Sequence, residues 1–193
     1  MDNLAPWRPC LAHAQHRNRS LPQARYLQLA TVRPDGRPTN RTLVFRGFLD
    51  DSNQLQFVTD ARSQKPAQIK HCAWGEVCWY FPKSREQFRF HGRLTLVTEQ
   101  TADSSLQAAR HQAWHNLSSA AQTQFRWPAP GQPRNSDLPF LPTSPAASEP
   151  VAHFCLLLLD PVSVDHLELT GNPQRRHFYQ YDQGVWRFDE INP

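Results

Sequence analysis

The sequence contains no long hydrophobic run, and cysteine is sparse. The longest uninterrupted apolar stretch, Phe154–Leu159, is far shorter than the roughly 20 residues of a membrane-spanning helix. The first residues, MDNLAPWRPCLAHAQHRNRS, lack the apolar centre of a secretory signal peptide. The four cysteines, at positions 10, 72, 78 and 155, form no C-x-x-C pair, which favours separate, reduced thiols. We therefore expect a soluble, cytoplasmic protein that does not bind a membrane.

Several motifs that mark common enzyme classes are also missing. The seven glycines form no P-loop, no G-x-G-x-x-G turn and no G-x-S-x-G elbow, which excludes the corresponding kinase, Rossmann and hydrolase readings. His111 and His115 have the spacing of two zinc ligands, but HQAWH lacks the glutamate of H-E-x-x-H and no third ligand is evident. A solvated histidine pair is the interpretation we adopt, and no metal site is predicted.

The charge is modest and dispersed. Lysine and arginine number 21 and acidic residues 17, for a formal net charge of +4. Because the arginines are scattered rather than grouped in blocks, the sequence does not predict a nucleic-acid interface. A pocket for a small anion needs only a few cations, and the composition allows one.

What the sequence does contain is alternating hydrophobicity, which predicts a mainly β fold. A hairpin is expected around the turn Pro34-Asp35-Gly36, with further strands in QLQFVT, AWGEVCWYFP, EQFRFHGRLTLVT, HFCLLLLD, VDHLEL, RHFYQY and VWRFDE. About eight mostly antiparallel strands with a few short helices favour a closed β-barrel with peripheral helices, since closure removes exposed sheet edges.

Helical and irregular segments complete the predicted organisation of residues 1–193 as one domain. Residues 5–18 are expected to form an amphipathic helix, with Trp7, Leu11 and Ala14 on its apolar face. Residues 101–126 have helical spacing and predict one or two helices. Seven prolines lie between Pro128 and Pro150, which excludes regular structure there and predicts a long Pro-rich loop.

The most informative stretch is RTLVFRGFLDDSNQLQFVTDARSQKPAQI, from Arg41 to Ile69. Thr59 ends a predicted strand, Ser63 stands where a helix N-cap belongs, and a helix is expected from Lys65 to His71. If the strands pair, these polar groups gather near Arg41 and create a phosphate site. Ordinary surface cations at a solvated strand end remain the alternative.

The same stretch, together with REQFRFHGRL and RRHFYQYDQGVWRFDEINP, resembles the pyridoxamine 5'-phosphate oxidase-like proteins, the FMN-binding split barrels. The length and the closing Asn-Pro are similar to the plant and cyanobacterial branch of FMN-binding domain proteins. The positions that match the family's FMN contacts are Arg41, Thr42, Leu43, Val44, Phe45, Arg46, Val58, Thr59, Ser63, Gln64, Lys65, Gln87 and Arg176.

The resemblance implies FMN as cofactor and a homodimer that shares the FMN site across its interface. It implies that Arg41, Lys65 and Ser63 hold the phosphate, that the backbone of residues 43–45 runs beside the flavin ring, and that Gln87 bonds its pyrimidine edge. The implied activity is an oxidoreductase that transfers hydride at the flavin; no catalytic residue is assigned. The alternative is a non-catalytic FMN- or tetrapyrrole/haem-binding split barrel.

The sequence departs from the family pattern in the substrate-binding region. Asn172 and Gln174 stand where oxidases of pyridoxine phosphate carry an Arg-x-His pair, and Gln64 replaces an arginine. The segment AWHNLSSAAQTQF has no clear match to the family's substrate-phosphate residues. Trp114 and Trp127, which flank this segment, are candidates for lining the pocket of a second, unidentified small molecule. We therefore expect an altered substrate site.

Overall fold

The computed structural model describes residues 4–134, 140 and 148–193. The strands belong to one antiparallel sheet, in the order β2-β1-β4-β5-β6-β7-β8, with β3 paired to β6. The strands are β1 Tyr26–Val32, β2 Pro38–Val44, β3 Leu55–Asp60, β4 Trp74–Phe81, β5 Glu86–Val97, β6 Phe154–Glu168, β7 Arg175–Asp182 and β8 Val185–Ile191. The helices are α1 Arg8–Asn18, α2 Lys65–His71, α3 Ser104–His115 and α4 Ser119–Gln124, with a 3-10 turn at Pro22–Arg25.

The sheet closes into a barrel through the residues that follow β2. The Arg46 amide donates to the Gln56 carbonyl and the Gln56 amide donates to the Gly47 carbonyl, each at 2.9 Å. Phe48 forms a bridge with Leu55. These bonds join the end of β2 to β3, and β3 pairs along β6. The predicted mainly β barrel with peripheral helices is confirmed.

One long strand replaces two predicted ones. HFCLLLLD and VDHLEL are parts of β6, which continues through Pro161. The first half of β6 pairs with β3 and the second half with β7, while β5 pairs with both halves. A register shift between His91 and Gly92 lies opposite Pro161, so the missing proline N–H falls at a bulge where the ladder is already interrupted.

Glycine is required at this bulge, and replacing Gly92 by alanine is expected to destabilise the protein. A methyl group on Gly92 would lie 2.1 Å from the Asp160 carbonyl oxygen, so the backbone of two strands must move apart, which costs ~1–3 kcal/mol. Urea unfolding measures the loss. Gly75→Ala is the matched control, because Gly75 pairs directly with Gly92. Its added methyl would meet mainly the flexible Leu94 side chain, at 2.6 Å, and would stay 3.2 Å from the Ala30 carbonyl oxygen. Equal losses in the two variants would contradict the interpretation.

Two apolar clusters explain the run FCLLLL, which shows no alternation. Leu157 and Leu159 belong to the barrel core. Trp7, the N-cap residue of α1, covers this core and packs edge-on against Phe90, with ring centroids 5.2 Å apart. Leu156 and Leu158 point to the opposite face and pack under α3. Because both faces of this half of β6 are buried, both sets of positions are apolar.

The helices differ from the prediction mainly at their starts. Helix α1 begins at Arg8 rather than residue 5, because the Arg8 amide bonds the Ala5 carbonyl in a preceding turn. Helix α2 has the predicted bounds. In the predicted loop 128–150, residues 135–139 and 141–147 lie outside the described residues, and the described ones carry neither helix nor strand. Among the helices that the structure describes, none has the length and apolar character that crossing a membrane would require.

Candidate functional site

Arg41 and the first residue of α2 form a pair of neighbouring cations. The Arg41 guanidinium is held in place by three acceptors: the Leu29 carbonyl at 3.1 Å, the Thr31 hydroxyl at 2.7 Å and the Gln68 side-chain oxygen at 2.9 Å. Thr31 and Gln68 are buried and bonded to each other. Arg41 therefore has a fixed orientation beside Lys65, and it retains N–H groups for another acceptor.

The electrostatics of this pair favour an anion. Burial and the nearby Arg41 charge lower the pKa of Lys65, and Asp60 opposes this effect. Burial also lowers the pKa of Arg41. Within the described part of the chain, the Lys65 ammonium makes neither a hydrogen bond nor a salt bridge. Two partly desolvated cations repel each other, and a doubly charged phosphate placed against both would remove that repulsion.

A cavity of about 800 Å³ opens beside Lys65. Within its wall, the Thr59 hydroxyl is buried and forms no hydrogen bond with the part of the chain that the structure describes, so it could donate to a ligand. The cavity combines three cations and one carboxylate with apolar and aromatic surface, a lining suited to an aromatic molecule that carries negative charge. The residues that decide this character are Val58, Thr59, Asp60, Arg62, Lys65, Phe125, Trp127, Arg134 and Phe140.

Arg62, which the sequence analysis did not single out, builds one wall of this cavity. Its guanidinium forms a two-pronged salt bridge with Asp60 and also donates to the carbonyls of Phe125 and Trp127, at 3.1 and 3.0 Å. Burial raises the pKa of Asp60, but the hydrogen bonds from Arg62 outweigh it and lower the pKa. The segment after α4 is thereby tied to the end of β3. In the sequence, the only indication of this salt bridge was the Asp-x-Arg spacing.

The start of α2 differs in detail from the prediction. Gln64, not Ser63, is the N-cap residue, and its side chain forms no capping bond. The Ser63 hydroxyl instead donates to the Asp60 carbonyl at 2.8 Å. Because α2 has seven residues and Pro66 supplies no N–H, the side-chain cations, more than the helix end, make this region attractive to phosphate.

The residues that follow Arg41 point in different directions. Leu43 packs against the barrel core and Phe45 is buried, while Thr42 and Val44 alternate to the other face of β2. Within Pro38–Val44, β2 pairs with β1 alone, which leaves its second edge available to a ring. Arg46 lines a different cavity, of about 660 Å³, together with Arg19 and Arg25.

Gln87 and Arg176 form a separate group on the sheet. Tyr80, Gln87, Leu167 and Arg176 are directly paired across β4, β5, β6 and β7 and share one face. Leu167 occupies the place between Gln87 and Arg176. Neither Gln87 nor Arg176 lines the cavity beside Lys65. One chain therefore does not bring all the predicted FMN contacts together.

Charge pairing gives this second group its geometry. Arg176 donates to both oxygens of Asp165, at 3.0 and 2.7 Å. Although burial raises the pKa of Asp165, the hydrogen bonds from Arg176 and Arg89 lower it. Arg176 is thus held in place by its salt bridge with Asp165. The Gln87 amide oxygen accepts a weak hydrogen bond from the Cys78 thiol at 3.7 Å.

Two tryptophans and one histidine pair are the remaining candidates from the sequence, and the structure places them in different surroundings. Trp127 lines the cavity beside Lys65, in edge contact with Phe140 at 5.7 Å. Trp114 is fully buried in the cluster under α3, so the hypothesis that it contacts a ligand is wrong. His111 bonds Glu149 at 3.2 Å, and within the described ranges no third metal-binding side chain joins His111 and His115.

Comparison with known proteins relates the whole chain to one family. Residues 4–98 match the family model described as pyridoxamine 5'-phosphate oxidase, FMN-binding domain. The chain is 39% identical over 196 residues to pyridoxine/pyridoxamine 5'-phosphate oxidase 2 of Arabidopsis thaliana, covering 99% of this chain and 98% of that protein. The pyridoxine/pyridoxamine 5'-phosphate oxidase of Myxococcus xanthus (strain DK1622) is 32% identical over 95 residues only, 47% of this chain and 45% of that protein.

A solved structure is similar over almost its full length. It is the crystal structure of a pyridoxamine 5'-phosphate oxidase-related, FMN binding protein from Nostoc punctiforme PCC 73102. The two chains are 59% identical, the TM-score is 0.95, and the match covers 98% of this chain and 99% of the other. The resemblance that the sequence motifs indicated is confirmed in both sequence and fold.

Proposed function

Since this chain belongs to the pyridoxamine 5'-phosphate oxidase family of FMN-binding split barrels, we propose that it is an FMN-dependent oxidoreductase with an altered substrate site. The observation that carries the proposal is Lys65, which lines a cavity with aromatic walls and has the Arg41 charge as its neighbour. That pair fits the phosphate of FMN, and the cavity offers the space and apolar surface for its ring.

FMN is the cofactor that this family binds, and the residues of this chain fit it. Arg41 and Lys65 would hold the phosphate, with the unpaired Thr59 hydroxyl as a further donor. The outer edge of β2 near Val44 would offer N–H and C=O groups to the ring, whereas the Phe45 N–H already donates to the Arg25 carbonyl. The chemistry that bound FMN supplies is hydride transfer at its N5, while the chain supplies binding, orientation and exclusion of water.

A homodimer would complete the site. Gln87 and Arg176 lie away from the cavity that Lys65 lines, and a second copy of the chain would provide its own pair there. The face that carries them also exposes aromatic side chains: Tyr26 is 48%, Trp74 41% and Tyr80 44% exposed. Exposed aromatic surface of this kind is typical of interfaces. Trp79 and Phe81, which lie on the same strand as Trp74 and Tyr80 but face the barrel interior, are fully buried.

Placing a charge at Tyr80 tests the dimer. Tyr80 is directly paired with Gln87, so Tyr80→Glu would bury a carboxylate in the proposed interface, which costs several kcal/mol. We expect sedimentation to show a monomer at low micromolar concentration, and FMN to be lost in parallel. Tyr181→Glu, at a comparably exposed tyrosine on β7, serves as the control. A monomer that still holds FMN tightly would contradict the shared site.

Our proposal of an altered substrate site rests on the residues that follow β6. Asn172 is exposed and Gln174 half-buried, and neither provides the cationic contacts that the family uses for its substrate. Pyridoxine/pyridoxamine 5'-phosphate oxidation is the second candidate, because the relative from Arabidopsis thaliana carries that name at 39% identity. A non-catalytic FMN- or haem-binding role is the third. The unpaired cysteines accord with our proposal of a reducing, cytoplasmic location.

Identification of the bound small molecules separates these candidates. We expect mass spectrometry of material released from the purified protein to find FMN, and anaerobic incubation with candidate reductants to bleach its absorbance. Haem without flavin would overturn the proposal. Bound FMN that no organic substrate reduces would favour the non-catalytic role.

A further inference from the structure

A cluster of metal-binding side chains lies on the sheet face opposite Gln87 and Arg176. His166 and Glu168 are two residues apart on β6, and His177 is directly paired with His166 from β7. One possible ligand atom from each of the three lies within 4.8 Å of the others. Within the described residues, the Nδ1 atoms of both histidines are buried and form no hydrogen bond of normal length, although the Cys10 thiol lies close to the His166 ring. Buried ring nitrogens without a hydrogen bond beside a carboxylate are polar atoms that still lack a partner.

We propose that His166, Glu168 and His177 bind a divalent transition metal, with Zn²⁺ chemistry. Two imidazole nitrogens and one glutamate carboxylate are a common protein ligand set for zinc, with the remaining position held by water or a small ligand. A cation at this point would be coordinated by one ring nitrogen of each histidine and would compensate the Glu168 charge. The sequence pattern indicated no metal site, because His177 joins His166 and Glu168 only through the β6–β7 register.

The neighbours of His166 hold its ring in the way that supporting residues hold a metal-binding histidine. The His166 Nε2 atom lies 3.0 Å from the Glu86 carboxylate, and the His166 side chain is only 2% exposed. Its ring stacks on Phe88, with the centroids 4.0 Å apart. A carboxylate on one ring nitrogen fixes the tautomer and directs the other nitrogen to the metal. Glu86 therefore acts as a positioning residue.

The cluster is accessible from one side. Glu168 and His177 are half-buried, so a hydrated ion can reach them, while His166 closes the inner side. Helix α1 brings the Cys10 thiol to 3.9 Å from the Tyr179 hydroxyl, next to His166. Cys10 is outside the three-residue group but supplies a thiol at its border. Because alternate residues of β6 face opposite sides, the metal cluster is separate from the proposed FMN contacts.

Zinc binding by the tag-free, FMN-loaded protein tests the proposal. Equilibrium dialysis against Zn²⁺ with metal analysis is expected to show one ion per chain, and calorimetry a micromolar or lower Kd. Glu168→Gln and His177→Gln each remove one ligand and are expected to weaken Zn²⁺ at least tenfold. Glu86→Gln leaves the ligands intact and is expected to weaken it about 10–100-fold. The control His111→Gln/His115→Gln removes the other histidine pair and should leave the Kd unchanged.

A second measurement protects the test against misfolding. Zn²⁺ should raise the Tm of the parent protein and of the control, because a ligand that binds only the folded state stabilises it. In Glu168→Gln and His177→Gln the Tm should not respond, although FMN content stays normal. Absence of saturable Zn²⁺ binding, or an unchanged Kd in folded His177→Gln, would overturn the proposal without affecting the FMN assignment.

Discussion

Replacing Arg41 and Lys65 together by alanine is expected to weaken FMN binding by a factor of about 10²–10⁴ and riboflavin binding little. Each charge-assisted hydrogen bond contributes ~1.5–3 kcal/mol, and about 1.4 kcal/mol corresponds to a tenfold change in Kd. Riboflavin carries the same ring without the phosphate, so it does not use these bonds. The two dissociation constants are measured by the change in flavin fluorescence on binding.

The two single variants differ in what else each substitution removes. Lys65→Ala removes an ammonium that bonds no other described side chain, so its effect on FMN reports the ligand directly. Arg41→Ala also removes hydrogen bonds to Thr31 and Gln68, and its stability must be measured alongside. Lys70→Ala, an exposed cation on the same helix, is the matched control and should leave both affinities unchanged. If FMN and riboflavin weaken equally, the phosphate site is assigned wrongly.

Oxidation of pyridoxamine 5'-phosphate by the FMN-loaded protein is expected to be absent or very slow. The substrate's phosphate and ring need charged partners. In the family pattern that this sequence resembles, arginine and histidine stand at the positions of Asn172 and Gln174. Losing two or three charge-assisted bonds at ~1.5–3 kcal/mol each lowers the rate by several powers of ten. A steady-state assay of hydrogen peroxide or pyridoxal 5'-phosphate formation measures the turnover.

The opposite outcome has a definite structural meaning. Turnover near one per second or faster, on the order of a typical kcat, would show that other cations replace the missing ones. Arg134 is the first candidate, since it lines the cavity beside Lys65 and contacts Phe140. In that case Arg134→Ala should abolish the activity while FMN stays bound. The double variant Asn172→Arg/Gln174→His should instead raise a low activity if the altered pocket is the cause.

Local patterns in the sequence predicted the barrel type and the grouping of Arg41, Thr59 and Lys65. Alternation is a property of neighbouring residues, so it identified the strands on both sides of the Pro34-Asp35-Gly36 turn and in β3–β5. Arg41, Thr59 and Lys65 lie within 25 residues of one another, on consecutive elements. Because consecutive elements usually pack together, their meeting was predictable. The helix from Lys65 to His71 followed from the same local signals.

Long-range pairing decided the rest. The run FCLLLL has no alternation because α3 covers one of its faces and the barrel core the other, and nothing within the run specifies either partner. Arg62 bonds carbonyls more than 60 residues away, and His177 joins His166 and Glu168 only in the observed register of β6 and β7. Local periodicity gives the face on which a side chain lies, but a one-residue shift in pairing changes every partner it meets. Those partners are fixed by the packing of the whole barrel, which the tertiary structure alone supplies.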